Sequence, residues 1–87
     1  MSTYVFYNDP GHAWLKVPRS ELLASGVASK ISTYSYQKGD YVYLEEDCDA
    51  GCFLSTLQTP PIIKDSYTDN RSRIRNYDSF RLAEGEG

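Results

Sequence analysis

The stretch Ile31-Ser32-Thr33-Tyr34-Ser35-Tyr36-Gln37-Lys38-Gly39-Asp40-Tyr41-Val42-Tyr43-Leu44-Glu45 is β-branched and aromatic on both sides of a short polar run that carries a glycine. That composition predicts a β-hairpin. Strands over 31–36 and 41–45, joined by the four residues from Gln37 to Asp40, make a connection of common hairpin length. Symmetric closure sets Tyr36 opposite Tyr41 and Tyr34 opposite Tyr43. The two-residue period of a strand then puts all four tyrosines on one face, with Val42, Leu44, Thr33 and Ser35 on the other. Two uses of such a face compete. The first in rank is a floor under a helix, with the hydroxyls at its rim. The second is an exposed aromatic binding surface, extended by Trp14.

Upstream, Thr3-Tyr4-Val5-Phe6-Tyr7 reads as a strand, and Asn8-Asp9-Pro10-Gly11 is a run of turn formers. His12 to Val17 then alternates, with Ala13, Leu15 and Val17 on one face and His12, Trp14 and Lys16 on the other. This is a second hairpin. Pro18 suits the start of a helix, Arg19 to Ser25 carries good helix formers, and Gly26 is a natural stop. So short a helix needs Leu22 or Leu23 docked on the sheet. Downstream, Asp47 or Asp49 is the expected N-cap of a second helix whose apolar positions Ala50, Phe53, Leu54 and Leu57 run through Gln58 until Pro60 and Pro61 stop it. Ile62-Ile63-Lys64 begins a short strand, Asp65 to Asn70 is turn-rich, and Arg71 to Leu82 is extended.

The chain has 87 residues, enough for one domain, expected over 1–82 with a fraying tail at 83–87. Nine basic and twelve acidic side chains leave a net charge of −3, against the strongly basic balance of a DNA-coating protein. The mean hydropathy of −0.54 and the short apolar runs exclude a span of about 20 residues across a membrane. No charged-then-apolar leader opens the sequence, so a cytosolic domain is expected. An apolar content of 40% with eight tyrosines is too rich for a disordered chain.

Cys48 and Cys52 lie four apart, a spacing that does not readily bring helical Cα atoms into disulfide range. With His12 as the only histidine they fall short of the four paired ligands of structural zinc. Two reduced thiols, buried or half-buried, are the simpler reading. Asp40, Glu45, Glu46, Asp47 and Asp49 make an acidic run whose spacing is not that of an EF-hand. Helix capping and a solvated face explain it, and no metal or cofactor is expected. Arg71, Arg73 and Arg75 would share one face of a strand with Tyr77. Pairing with the acidic run ranks first for them, a protein partner second and a nucleic-acid backbone third.

Asp9-Pro10-Gly11-His12-Ala13-Trp14-Leu15-Lys16-Val17-Pro18 resembles a segment of small uncharacterised proteins of bacteriophages, prophages and plasmids, which typically read Pro-Gly-His-Gly-Trp-Leu where this chain has Ala13. Ile31-Ser32, Tyr34-Ser35-Tyr36, Gly39-Asp40, Leu44-Glu45-Glu46-Asp47-Cys48-Asp49 and Arg71-Ser72-Arg73-Ile74-Arg75-Asn76-Tyr77 match the same group. The resemblance spans nearly the whole chain. It implies an accessory protein of a mobile element, made in the bacterial cytoplasm, of the kind that includes anti-CRISPR and other anti-defence inhibitors.

Together these readings predict an α+β domain: a mainly antiparallel sheet of two hairpins and a C-terminal strand, with two short helices. The expected activity is protein binding rather than catalysis, with a bacterial host complex such as a CRISPR-Cas effector as partner. The expected contacts are Trp14, Tyr34, Tyr36, Tyr41 and Tyr43, with Arg71, Arg73 and Arg75 as charge anchors. A nucleic-acid-binding domain using the same residues is the alternative. A small enzyme pairing His12 with Cys48 or Cys52 ranks last.

Overall fold

Alternation builds the first hairpin as expected. In a computed structural model that describes residues 2–86, β1 (Thr3–Asn8) pairs antiparallel with β2 (Ala13–Pro18), setting Phe6 opposite Leu15 and Tyr7 opposite Trp14. The turn between them is held by Asp9, whose Oδ1 accepts from the backbone N–H groups of Gly11 and His12, both at 3.0 Å. Helix α1 (Arg19–Ser25) follows at once and ends at Gly26, whose φ of 84° lies in the left-handed region that glycine adopts without strain.

The second hairpin is shorter and shifted. β3 is Tyr36–Lys38 and β4 is Tyr41–Glu45, so the loop is only Gly39-Asp40. Gly39, at φ 59°, occupies the first central position, where type II′ turns place glycine. Tyr36 therefore faces Tyr43, and Lys38 faces Tyr41. The residues expected to extend β3 upstream, 31–35, instead follow a 3₁₀ turn at Ala28–Lys30 and bend over 32–35. Their side chains explain the bend. Ser32 donates to Asp49 Oδ2 from its backbone N–H (3.0 Å) and its hydroxyl (2.6 Å), and the Ser35 hydroxyl donates to the same oxygen at 2.6 Å. Local bonds of this kind compete with strand pairing. Asp49 is thus not the cap of its own helix. α2 spans Asp49–Leu54 behind an N-cap at Cys48, and Asp49 anchors the neighbouring bend instead. The helix stops short of the Gln58 that its apolar spacing suggests.

β5 (Ile62–Tyr67) is longer than the sequence suggests and pairs parallel with β1. β6, Asp78–Ser79, is the only extended pairing in the C-terminal stretch. The result is an α+β fold with a mixed, mostly antiparallel sheet in the order β5-β1-β2-β4-β3-β6. One face carries Leu15, Val17, Val42 and Leu44, fully buried beneath Leu22 of α1 and Phe53 of α2. Tyr4 joins this core edge-on to Phe53, with ring centroids 5.6 Å apart, and its hydroxyl donates to Glu21.

The strand order dictates the rest. β5 and β6 sit at opposite edges, so the chain between them must cross the sheet. It crosses on the tyrosine face. There a 3₁₀ turn (Arg73–Asn76) packs Ile74 against Trp14 and Tyr43, with Tyr7, Tyr36 and Tyr77 around them. The helices lie on the aliphatic face, so the tyrosines floor a strap rather than a helix. In the tail, Arg19 donates to both carboxylate oxygens of Glu86 at 3.0 and 2.6 Å.

Candidate functional site

Between the strap and the sheet lies a cleft of about 620 Å³, within the usual range of ligand pockets. β1 contributes Tyr7 and β2 contributes Lys16, while Tyr43 comes from β4 and Tyr67 from the end of β5. The strap adds Arg71, Arg73, Ile74 and Tyr77. Three lining residues are cationic and none is a carboxylate. Lys16 places its Nζ 4.1 Å from the Tyr41 ring centroid, and Arg71 donates to Asn76 Oδ1 at 2.7 Å. None of the three makes an ion pair among the described residues.

The phenols carry the polar side of the same cleft. The Tyr43 and Tyr77 rings stand 5.1 Å apart. Burial, and then the neighbouring Tyr77 and Tyr7, push the Tyr43 hydroxyl above its ordinary range. It stays protonated at neutral pH and remains a donor. The cleft therefore offers cations, hydroxyl donors and aromatic faces, a combination that receives an anion attached to a flat or apolar body.

Arg75 behaves differently from its two neighbours. Its Nε donates to Asp9 Oδ2 at 2.6 Å and its Nη2 to Oδ1 at 2.8 Å, and its guanidinium lies 5.3 Å from the Trp14 ring. That bidentate bond holds the Asp9 carboxyl far below the usual carboxylate range and raises the arginine, against the opposing cost of burial. Pairing thus accounts for Arg75 but not for Arg71 and Arg73, and its partner is the turn aspartate, not the run at 40–49. The three side chains do not share a strand face, because 73–76 is a 3₁₀ turn that sends Arg73 to the cleft and Arg75 to the opposite side.

The aromatic contacts expected from the sequence divide in the same way. Tyr34 (73% exposed) and Tyr41 (40%) are available, and Tyr36 is half-buried. Trp14 (2%) and Tyr43 (8%) are buried under Ile74, with Tyr43 on the floor of the cleft and Trp14 at the border of a second hollow. Lys16 and Tyr7 carry no site signal in the sequence beyond the alternation of β2, which puts Lys16 on the Trp14 face. A second hollow of about 300 Å³ is bordered by His12, Trp14, Tyr34, Tyr36, Glu45, Asp47, Cys48 and Arg75, and it shares no residue with the cleft. Cys48 is exposed rather than buried, and Cys52 is half-buried and not part of this lining. Among the described residues no helix is long and apolar enough to cross a membrane. Compared with protein-family models, with curated proteins and with solved structures, the chain finds no match.

Proposed function

We propose that the protein works by binding, as an accessory factor of a mobile element that docks on a protein complex of its bacterial host, with a CRISPR-Cas effector as one such complex. The observation that carries the binding reading is the cleft, where Lys16, Arg71 and Arg73 have no carboxylate among their lining neighbours in a chain of net charge −3. Cations without an internal partner are free to meet an external one, and arginine and tyrosine are the residue types enriched at interface hot spots. An acidic segment of the partner fits this chemistry, its charge on the arginines and its apolar parts on the rings of Tyr7 and Tyr77. Tyr34 and Tyr41, both exposed, add aromatic surface outside the cleft. The sequence resemblance supports the bacterial setting.

The test is affinity capture from a nuclease-treated bacterial lysate that carries intact defence systems, using the native chain beside an Arg71→Glu, Arg73→Glu double variant. The native chain should retain one host complex in near-stoichiometric amount, and the variant should lose it while keeping its thermal midpoint. Equal retention by both would remove the cleft from the interface, and two empty columns would remove the reading. The same cations and rings favour a second reading, single-stranded nucleic acid. It requires a log–log salt slope of roughly 2 for three neutralised phosphates, and a flat salt response rejects it.

A further inference from the structure

We propose that the second hollow is a binding site for a single divalent transition-metal ion, held by His12, Glu45 and Asp47. One ligand atom from each of these side chains lies within 4.8 Å of the other two. An ion bound at about 2.0–2.2 Å draws such atoms to roughly 3–4 Å separation, so the site closes by about 1 Å. The two exposed members, His12 and Asp47, supply that movement. Glu45 is the fixed member. It is 7% exposed, and its Oε2 accepts from the backbone N–H groups of Asp47 (3.1 Å) and Cys48 (3.2 Å).

Two further observations favour a cation here. Glu45 is a buried carboxylate with no ion pair among the described residues, since the guanidinium of Arg75, the cation at the hollow, is taken by Asp9. Burying such a charge without a counter-charge is costly, and a bound cation removes the cost. Trp14 stands directly opposite Glu45 in the sheet and borders the hollow. Its indole Nε1 is the one buried side-chain polar atom without a partner among the described residues. An ion with bound water brings oxygen acceptors into the space that Trp14 borders.

One imidazole and two carboxylates suit zinc, cobalt or manganese better than calcium or magnesium, which take oxygen ligands alone. Three protein ligands leave coordination positions open to water or to a small anion. This inference stands apart from the cleft and does not depend on what the cleft binds.

Trp14 is the only tryptophan in the chain, and its ring lies 6.0 Å from that of His12, so it reports on the site directly. Co²⁺ is titrated into the full chain, freed of any purification tag, while tryptophan emission is followed. The expected result is saturable quenching at one ion per chain, reversed by Zn²⁺. His12→Ala and Asp47→Asn should each weaken it by at least roughly tenfold, with the thermal midpoint in EDTA unchanged. Cys48→Ser should leave it intact. Absence of saturable quenching at millimolar Co²⁺ would overturn the proposal. So would unchanged affinity in both ligand variants, or loss with Cys48→Ser but not with His12→Ala.

Discussion

Asp9 accepts hydrogen bonds from the N–H groups of Gly11, His12 and Ser72 and two from the Arg75 guanidinium. One side chain thereby closes the first hairpin turn and fastens the strap to it. Gly11 belongs to the same arrangement, because a Cβ there would stand 2.8 Å from Arg75 Nη2 and push the guanidinium off its carboxylate. Asp9→Ala should cost roughly 3 kcal/mol, the scale for leaving one member of a buried pair alone, measured as a lower urea midpoint at pH 7. The pH dependence follows from the depressed carboxyl. At neutral pH Asp9 is ionised in both the folded and the unfolded chain. As pH drops toward the ordinary value of 3.8, the unfolded chain takes up the proton first, so stability falls with acid and nothing is gained above. Glu86, drawn down to about 2 first by its bond with Arg19, acts in the same direction. Unfolding free energy should therefore decline from about pH 5 downward, and Asp9→Asn should flatten most of that decline.

The strap is the element that turns an open tyrosine face into a cleft, and Ile74 is the knob that seats it on Trp14 and Tyr43. Ile74→Ala removes that knob over a floor that cannot rise to meet it. It should cost roughly 2–4 kcal/mol and shift Trp14 emission to the red as water reaches the indole. An unshifted emission would mean that something other than the strap buries Trp14. The strap also marks the limit of what the sequence makes legible. Helix α1 and the first hairpin are local, set by alternation, by Pro18 and by Gly26, and they read off directly. The strap is an irregular segment whose position follows from β5 and β6 standing at opposite edges, a long-range pairing that no local pattern encodes. For the same reason Arg71, Arg73 and Arg75 look equivalent in the sequence, while a single 3₁₀ turn separates them in space. Asp49 shows a different limit. An aspartate ahead of a helix reads as a cap, but three donors from 32–35 bind it more closely than its own helix does.

At the scale of the whole molecule, the sheet has two edges of unequal kind. β6 is two residues long and exposes little backbone, whereas β5 presents six residues, every one exposed, with no strand on its outer side among the described residues. A long exposed edge with Ile62, Ile63 and Tyr67 on it is a template for pairing with another chain. What guards it is charge, since Lys64 and Asp65 sit at its centre on opposite faces, where edge-to-edge pairing would have to desolvate them. The guard also bears on the proposed binding site, because β5 supplies Tyr67 and Ser66 to the cleft and a second chain on this edge would crowd its mouth. Replacing both charges by threonine keeps the β-propensity of the strand and removes the guard. Lys64→Thr with Asp65→Thr should therefore leave the thermal midpoint of a dilute sample within about 4 °C of the native chain, since exposed substitutions of this kind change stability by about 0.5 kcal/mol or less. The same variant should raise the weight-average mass with concentration in light scattering. Capture of the proposed host partner should weaken as association sets in and recover on dilution. A variant that stays monomeric across the concentration range would show that the twist of the sheet, rather than charge, protects this edge.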